Sequence, residues 1–433
     1  MKKHNRALLS VAIVALLSAC DNGATVDPQK QMGPNPELPQ AQNFLLPPMQ
    51  VPEGVAWKEG EKPTVPAGLQ IEKIADGLKH PRQIYVLPNN DVLVAESNST
   101  PKPTTRPKQL IMGLVQSASG KAGKGGDTIT LLRNVNGKWE KHTFIENLHS
   151  PFGIQLIGNT LWVANADSLV KFPYETGQTS ISAPAQEVTE LPGGPINHHW
   201  TKSLLASPDG SKLYVGVGSN SNITENGIGA EYRRAAILEV DAASGASRIY
   251  ASGLRNPTGL GWEPQSGKLW AIVNERDEIG SDLVPDYMTS VQENGFYGWP
   301  YSYFGQHVDE RAKPPRPDLV EKAIKPDYAI SSHVAPLGLL FYTATNMPQY
   351  QGGAFVSEHG SWNRSPLNGY QVMWVKFENG QPVGLPQPVV TGFLTEDQKQ
   401  VRGLPVGLAM DQQGGVLIAD DAGNTIWRVS AAQ

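Results

Sequence analysis

Short runs of alternating apolar and polar residues, each followed by a turn and a second run, recur six times along the chain. Each repeat reads roughly Gly-Leu-x-x-Pro-x-Gly before its first apolar run, and the second run ends near Val-Ala or Ser-Glu. Alternation with a period of two is typical of half-buried β-strands, so each repeat predicts a strand, a tight turn and a second strand. The repeats begin at Gly77, Asn147, Asn197, Gly253, His333 and Gly403.

The spacing between repeats, some 50 to 80 residues, indicates a propeller or another repeat array. Six units predict an all-β fold, a six-bladed β-propeller with one pocket on its axis. Propellers leave only short, protected sheet edges, so a chain this rich in strands can stay soluble. All-β folds of this size often form one unit, and we expect residues 61–433 to form a single propeller domain.

The N-terminus has the pattern of a targeting segment. Three basic residues precede an apolar stretch over residues 7–17, which is too short to span a bilayer. The stretch ends in Leu17-Ser18-Ala19-Cys20, which looks like the lipobox of a bacterial lipoprotein. The pattern predicts a signal peptide over residues 1–19 and lipidation of Cys20.

Cys20 is the single cysteine of the chain, so no disulfide framework is expected. The neighbouring Asp21 resembles the signal that retains some lipoproteins in the inner membrane, which predicts anchoring at the periplasmic face of a bacterial membrane. Removal of the signal peptide changes the formal net charge from −5 to −8, because three positive charges are lost. This moderately acidic surface gives no support to nucleic-acid binding.

Two segments have the composition of linkers. Residues 20–60 are rich in Pro, Gln and Asn and predict a flexible, solvated tether between the lipid and the propeller. Residues 97–126 are rich in Pro, Thr, Lys and Gly and predict a mobile loop inserted in the first blade. The Gly-Lys pairs of that loop lack the strand-to-helix setting of a phosphate-binding loop.

Candidate chemistry is expected where the inner strands begin, since these strand ends crowd around a propeller axis. The residues at those positions are Pro81-Arg82, Ser150 to Phe152, His198-His199, Arg255-Asn256, His333 and Leu404. Adjacent histidines on a strand point to opposite faces, so only one of His198 and His199 is expected to face the axis.

These residue types suit the oxidation of an alcohol. A histidine near its ordinary pKa can remove a hydroxyl proton at neutral pH. The planar fork of Arg255 suits a carbonyl or carboxylate, and Asn256 can donate to the same oxygen. The loop over residues 274–282 is dense in the oxygen ligands that calcium takes, although its spacing differs from that of an EF-hand.

Several longer motifs carry a resemblance that runs from about Pro66 to Val429. They are SGLRNPTGLGWEPQSGKLW, NGFYGWPYSYFG, HVAPLGLLFY, FVSEHGSWNRSPLNGYQV and GVLIADDAGNTIWRV, in this order. The chain resembles the soluble sugar dehydrogenases that depend on pyrroloquinoline quinone (PQQ), and most closely their L-sorbosone dehydrogenase branch. The resemblance implies a six-bladed propeller that binds PQQ and Ca²⁺.

The resemblance also implies residue roles. The family's general base lies ten residues before the Asp of the S-P-D-G turn, here Asp209, which assigns His199 as the base and His198 to the cofactor. Arg255-Asn256 would polarise the reactive quinone carbonyl. Calcium would be held largely by main-chain carbonyls in the region of Arg276 and Asp277.

One position departs from the family pattern. Where sorbosone-type relatives have Gly-Arg-Pro-Val in the last blade, this chain has Gly403-Leu404-Pro405-Val406. That arginine is expected to meet a cofactor carboxylate, so the pattern predicts that Leu404→Arg strengthens cofactor binding unless another residue fills the role. Arg402 and Arg364 are the candidates to replace it.

The sequence thus predicts a lipid-anchored periplasmic quinoprotein that oxidises a sugar, sugar aldehyde or polyol and passes electrons to a quinone or cytochrome. Two alternatives stay open. One is a calcium-dependent lactonase on the same fold, which would need acidic side chains converging on the axis. The other is a non-catalytic propeller that binds a partner in the cell envelope.

Overall fold

The computed structural model describes residues 23–43, 48–100 and 125–433. The lipobox with Cys20, and most of the loop predicted to be mobile over residues 97–126, lie outside these ranges. Within them, regular structure is almost entirely β. No helix in these ranges is both long enough and apolar enough to cross a membrane.

The strands follow one another closely along the chain. They are β1 (Met32–Gly33), β2 (Glu53–Gly54), β3 (Leu69–Ala75), β4 (Pro81–Val86), β5 (Val92–Glu96), β6 (Thr128–Val135), β7 (Lys138–Ile145), β8 (Gly153–Ile157), β9 (Thr160–Ala164), β10 (Ser168–Pro173), β11 (Gln186–Glu190), β12 (Lys202–Ala206), β13 (Lys212–Val217), β14 (Ala236–Asp241), β15 (Ser247–Ser252), β16 (Pro257–Trp262), β17 (Leu269–Val273), β18 (Pro285–Ser290), β19 (Ser302–Tyr303), β20 (His307–Val308), β21 (Tyr328–Ser332), β22 (Pro336–Phe341), β23 (Ala354–Glu358), β24 (Gln371–Glu378), β25 (Gln381–Val390), β26 (Gln400–Val401), β27 (Pro405–Met410), β28 (Val416–Asp420) and β29 (Thr425–Ala431). One short α-helix, α1 (Pro317–Lys322), and 3-10 turns at Pro28–Gln31, Ile228–Glu231 and Pro348–Tyr350 complete the regular elements of the described ranges.

The strands form six antiparallel blades around one axis, which confirms the predicted six-bladed propeller. From the inside outwards, blades 1 to 3 are β4–β7, β8–β11 and β12–β15. Blade 4 is β16-β17-β18-β21 with β1 added at its edge, blade 5 is β22–β25, and blade 6 is β27-β28-β29-β3. Each predicted repeat begins two to six residues before an inner strand, so the alternating pattern located every blade.

The ring is closed by a strand from the beginning of the propeller. Strand β3 is the outermost strand of blade 6, where it pairs antiparallel with β29 and Ile71 lies opposite Val429. The first and last parts of the domain are therefore hydrogen-bonded in one sheet. Ile71 and Val429 also belong to one buried apolar cluster with Trp427 and Phe393.

Neighbouring blades are joined by a recurring polar contact beside the axis. A hydroxyl near the start of an inner strand or the end of a second strand donates to a carbonyl near the start of the next inner strand. The contacts are Ser97 to Pro151, Ser203 to Pro257, Thr258 to Pro336 and Ser357 to Val406. Buried carbonyls need such partners, so these bonds fix where the inner strands of blades 2, 4, 5 and 6 begin relative to the preceding blade.

The segment predicted to be a solvated tether is instead packed on the propeller over its described part. Strand β1 pairs with β21, β2 pairs with β26, and Trp57 stacks edge-on against Trp427 and Phe393. The tether prediction over residues 20–60 is therefore wrong for these residues. The contacts of the Gln31 side chain and the backbone hydrogen bonds of β1 and β2 are polar, and polar contacts leave no apolar periodicity in the sequence.

Gln31 is the main polar contact of this segment. Its side chain is fully buried, its Nε2 donates to the Asp282 carbonyl (2.5 Å), and its Oε1 accepts from the Ser332 hydroxyl (2.9 Å). Both partners belong to blade 4 or the loop before its third strand. Gln31 thus holds the N-terminal segment on the propeller, although the composition of the segment shows only that it is a polar residue.

We expect Gln31→Ala to release the segment without unfolding the propeller. The change removes two hydrogen bonds that hold the segment, at about 0.5–1.5 kcal/mol each, while the Ser332 hydroxyl still donates to the Asp282 carbonyl (2.7 Å). Limited proteolysis should show faster cleavage within residues 23–43, while the thermal transition of the propeller moves little. The matched control is Gln29→Ala, since Gln29 lies in the same segment and is less buried. Equal protection in both variants would contradict this role of Gln31.

Candidate active site

The candidate residues lie at one end of the propeller. In every blade the inner strand begins where the antiparallel second strand ends, so the loops before inner strands and after second strands meet at one end. We call this the site end. The predicted residues His199, Arg255, Asn256 and Asp277 all lie on these loops.

His198 and His199 lie in the loop before β12 and not on the strand. Strand alternation therefore does not determine where their side chains point. The prediction that only one of the two histidines faces the axis rested on that alternation and no longer follows. Their rings pack edge-on with centroids 4.6 Å apart. His199 Nδ1 lies 2.8 Å from the Ser219 carbonyl, which can only accept, so Nδ1 carries the hydrogen. In the neutral ring the lone pair is then on Nε2, as a proton acceptor requires.

Gly218 brings His199 next to Asn256 of the following blade. A Cβ added at Gly218 would lie 2.4 Å from His199 Cβ and 2.2 Å from Asn256 Oδ1, so both residues flank this glycine. The Asn256 side chain is buried, and its Oδ1 has no hydrogen-bond partner among the described residues. The predicted base and the predicted amide are thus neighbours, and the amide has an unused polar atom.

Arg255 is buried and bound to the loops around it. Its Nη1 donates to the Glu275 carbonyl (2.7 Å), and Nε and Nη2 donate to the carbonyl and side-chain oxygen of Asn222 (3.2 and 3.1 Å). Its Nη2 also lies 3.9 Å from Asp277 Oδ2. The guanidinium therefore fixes the position of the oxygen-rich loop and provides positive charge beside it.

Asp277 is the centre of this part of the site. Its Oδ1 accepts from Asn363 Nδ2 (2.8 Å) and lies 3.3 Å from His333 Nδ1. Burial alone would raise the pKa of Asp277, but the His333 hydrogen bond, the Arg255 charge and Asn363 lower it to about 2. Burial alone would lower the pKa of His333, yet Asp277 and the Gly280 carbonyl outweigh it and the pKa is raised. The carboxylate is therefore ionised at neutral pH.

A second charged group at the site end joins the last blade to the first and fifth. Asp421, fully buried after β28, accepts from Arg82 Nη1 (2.7 Å) and from His359 Nε2 (2.9 Å), and lies 3.3 Å from His80 Nε2. Burial alone would raise the pKa of Asp421, but His359, His80 and Arg82 lower it well below its ordinary value. Asp421 is therefore a negative charge that is held in place beside three basic side chains, those of Arg82, His80 and His359.

The Arg82 side chain also contacts aromatic residues of blades 2 and 3. Its guanidinium lies 5.8 Å from the ring of Phe152 and 5.5 Å from the ring of Trp200, within the range of cation–π attraction. Its Nε is buried and has no hydrogen-bond partner among the described residues. Arg82 thus offers a donor beside two aromatic rings.

Sequence reasoning identified Arg82 and His333 by register but missed His359 and Asp421. Both lie inside motifs that were already singled out, SEHG and IADD. They follow second strands, whereas most candidate positions were taken from the starts of inner strands. Reading both strand ends of each hairpin would have found them, because antiparallel pairing brings those two ends together.

Arg276 supports the loop with its side chain. The guanidinium is fully buried and bonds Glu275 Oε2 (3.0 Å), Asp309 Oδ2 (3.2 Å) and the carbonyls of Pro300 and Ser302 (3.1 and 2.6 Å). It ties the loop after β17 to the insertion that carries β19 and β20. The assignment of main-chain carbonyls at Arg276 and Asp277 to calcium stays a prediction.

The Asp277 carbonyl already accepts from Asn222 Nδ2 (3.1 Å) and Arg311 Nη1 (3.0 Å). Its carboxylate is therefore the oxygen donor of this loop that better suits a cation. Within the described ranges, no group of three or more His, Cys, Asp or Glu side chains is arranged to hold a metal ion.

Leu404 does not face the site. Its side chain is fully buried in the apolar cluster of Phe393, Val401 and Trp427, and its backbone N–H donates to Asp420 Oδ1 (2.9 Å). An arginine there would place a charge among apolar side chains. The premise that Leu404→Arg restores a cofactor contact is therefore contradicted by the structure.

The two proposed replacements are also bound elsewhere. Arg402 forms an ion pair with Glu61 (3.6 Å), which lines a surface cleft shared with Lys73 of the outermost strand β3. Arg364 Nη1 donates to the Pro366 carbonyl, and its Nη2 lies 3.8 Å from Asp282 under the N-terminal segment. Among the described contacts, neither arginine reaches His199, Asn256 or Asp421.

A buried acid next to the site provides a test of its environment. Glu358 is buried at the end of β23, where burial raises its pKa to about 8 although Gln371 donates to it (3.0 Å). The folded protein therefore holds a proton that the unfolded chain releases above the ordinary value of 4.5. Stability should consequently fall as the pH rises from about 4.5 towards 8.

We expect Glu358→Gln to make that pH dependence shallower and to raise the unfolding midpoint at pH 8, since a neutral side chain keeps the Gln371 contact. Urea unfolding followed at several pH values measures the effect. Glu53→Gln is the control, because Glu53 is exposed and should leave the profile unchanged. A Glu358→Gln profile parallel to the original would show that Glu358 is ionised in the folded state.

Comparison with known proteins agrees with this architecture. The TrAA12-like family model matches residues 63–295 and 318–432. Among solved structures, the calcium structure of the Trichoderma reesei family AA12 carbohydrate-active enzyme is 19% identical, covering 86% of this chain and 97% of that chain, with a TM-score of 0.69. The holo form of the Coprinopsis cinerea pyranose dehydrogenase PQQ domain is 18% identical, covering 88% and 100%, with a TM-score of 0.68.

The PQQ-bound aldose sugar dehydrogenase of Streptomyces coelicolor is 16% identical, covering 85% of this chain and 100% of that chain, with a TM-score of 0.55. At these identities the solved structures establish the fold.

Proposed function

Because the chain belongs to the TrAA12-like family, we propose that it is an oxidoreductase that uses PQQ to oxidise a sugar, sugar aldehyde or polyol. Structural relatives described as a PQQ domain and as a PQQ-bound aldose sugar dehydrogenase support the cofactor assignment. The resemblance of the motifs to the L-sorbosone dehydrogenase branch makes sugar aldehydes the first substrates to test.

The residues of the site end fit an anionic quinone. PQQ carries carboxylates and quinone carbonyls, which need positive charge and hydrogen-bond donors. Arg82 and Arg255 supply the charge, His359 supplies a ring nitrogen beside Asp421, and Phe152 and Trp200 provide aromatic surface beside Arg82. Two buried polar atoms, Arg82 Nε and Asn256 Oδ1, have no partner among the described residues. A buried guanidinium N–H without a partner is costly, so a bound carboxylate explains the Arg82 donor, whereas the Asn256 oxygen is an acceptor and requires a donor or a cation.

The observation that carries the proposal is the pairing of His199 with Asn256 across Gly218. When bound, PQQ supplies the acceptor for the two electrons and the hydrogen removed from the substrate carbon. The Ser219 carbonyl orients His199 so that Nε2 can take the proton of the substrate hydroxyl. Asn256 would donate its amide to the quinone oxygen, and Arg255 would hold positive charge beside it. His198 would line the cofactor.

Calcium is part of the proposed site. It is supported by the oxygen-rich loop over residues 274–282, by the ionised Asp277 carboxylate and by the calcium structure of the Trichoderma reesei relative. A cation there would offset the negative charge of the cofactor. Arg402, predicted from the sequence to bind the cofactor, has no role in the proposed site because it pairs with Glu61. Arg364 stays a predicted cofactor residue, since its Nη1 is bound to the Pro366 carbonyl but its Nε and Nη2 have no hydrogen-bond partner among the described residues.

We further propose that the protein is anchored through Cys20 at the periplasmic face of the membrane and passes electrons to a quinone or cytochrome. The lipobox and Asp21 support this location. The packed segment that starts at Gly23 then follows the lipid directly.

We expect His199→Gln to lower the turnover number about 10²–10⁴-fold, because general-base catalysis contributes roughly that much. Turnover is measured by dye reduction with PQQ and calcium saturating and sugar aldehydes as substrates. His198→Gln is the matched control, which should weaken cofactor binding more than it slows turnover. Loss of turnover in His198→Gln with His199→Gln nearly unaffected would reverse the two roles.

Substitution of Gly218 tests the spacing between His199 of blade 3 and Asn256 of blade 4. Gly218→Ala places a methyl group against His199 and Asn256 and should lower turnover at least about tenfold while leaving the fold intact by circular dichroism. Gly229→Ala is the control, since nothing lies within 4 Å of its added Cβ. Full activity in Gly218→Ala would contradict the placement of the reaction between these residues.

A further inference from the structure

The first described residues lie on the rim of the site end. The Ala24 N–H donates to the Ser365 carbonyl (2.7 Å), and the N–H groups of Thr25 and Val26 donate to Asp282 Oδ2 (2.6 and 3.2 Å). Asp282 lies in the loop between β17 and β18, and Ser365 lies in the loop between β23 and β24. Both loops follow second strands, so both belong to the site end. The N-terminal segment is thus fixed at the same end as the candidate active site.

This attachment limits where a lipid on Cys20 can be. Gly23 is the third residue after Cys20, and a fully extended chain covers at most about 3.3–3.6 Å per residue, or about 11 Å in all. The inner strands have five or six residues, which at about 3.3 Å per residue separates the two ends of the propeller by roughly 20 Å. The lipid is therefore confined to the neighbourhood of the site end.

The site end also exposes two large apolar side chains. Ile228 and Tyr232 lie on the loop between β13 and β14 and are 53% and 78% exposed. Between them, Glu231 points inwards and accepts from the Asn220 N–H (2.7 Å) and the Ser221 hydroxyl (2.5 Å). The turn is therefore held firmly with its apolar residues outwards. Tyrosine is favoured at membrane interfaces, where its ring meets acyl chains and its hydroxyl meets headgroups.

We infer that the anchored protein lies with its site end towards the bilayer, and that Ile228 and Tyr232 contact the lipid headgroup region. Two independent features agree on the same end: the short reach from Cys20 and the exposed apolar turn. The inference rests on lipidation of Cys20 and goes beyond the proposed chemistry, because it concerns which surface meets the membrane. The opposite end, with its β-turns, faces the aqueous phase.

The orientation can be measured by fluorescence quenching on vesicles. Cys20 is the one native cysteine, and lipidation blocks its thiol, so an introduced cysteine can be labelled alone. Gly229→Cys labels the site end, where the added side chain meets open space. Gln265→Cys labels the turn between β16 and β17 at the opposite end, where Gln265 is exposed. The full-length lipidated proteins are reconstituted in phosphatidylcholine–phosphatidylglycerol vesicles that carry a quencher on the lipid headgroup.

We expect label 229 to be quenched several-fold more than label 265. Equal quenching, or stronger quenching of label 265, would overturn the inferred orientation. A control variant removes both determinants by inserting about twenty Gly/Ser residues between Asp21 and Asn22 and by the changes Ile228→Ser and Tyr232→Ser. This insertion spans about 25 Å on average, so the preference for label 229 should disappear. A preference that survives would contradict the assignment to these features.

The same preparations separate this inference from the proposed function. A protein that fails to float with vesicles overturns the anchor and the orientation together. Dye reduction with PQQ and a sugar aldehyde, measured on the protein in detergent, reports on the chemistry whatever the outcome on vesicles.

Discussion

The antiparallel pairing of β3 with β29 is the constraint on which the rest of the molecule depends. It places a strand from the start of the propeller at the edge of its last blade, and this brings blade 1 beside blade 6. Across that seam Arg82 meets Asp421, 339 residues away in sequence, and the His80 N–H bonds the Asn424 side chain. Closure of the ring therefore brings together the residues of this half of the site. Breaking a buried ion pair by removing one partner typically costs about 3–5 kcal/mol.

The charges of the site are balanced within the protein before any ligand binds. Asp421 is surrounded by Arg82, His80 and His359, and Asp277 by Arg255 and His333. Such groups keep their positions because each is tied to loops anchored at both ends in strands. Pre-organised charges lose little free energy to reorganisation when a charged group binds or a charge develops. Arg82 Nε in the first group, and Oδ1 of Asn256, the residue after Arg255, are buried and have no hydrogen-bond partner among the described residues.

The sequence was sufficient to predict the blades but not the contacts of the full site. Alternation with a period of two is a local signal, so all six inner strands were located. The hairpin pattern is enough to place His359 and Asp421 at the site end, but their contact with each other depends on how blades 5 and 6 pack around the axis, which no local pattern records. Leu404 was misjudged because it lies in the loop before β27, where strand alternation does not give the direction of a side chain. The described part of residues 20–60 was misjudged because hydrogen bonds hold it.

The central claim is that the site end binds PQQ with the help of calcium. Isothermal titration of PQQ into the metal-free apoprotein, with and without added calcium, tests it most directly. We predict one PQQ per chain and an affinity at least about tenfold higher when calcium is present, because a cation offsets the carboxylates of the cofactor. The absence of binding in both titrations, or equal affinity in both, would contradict it.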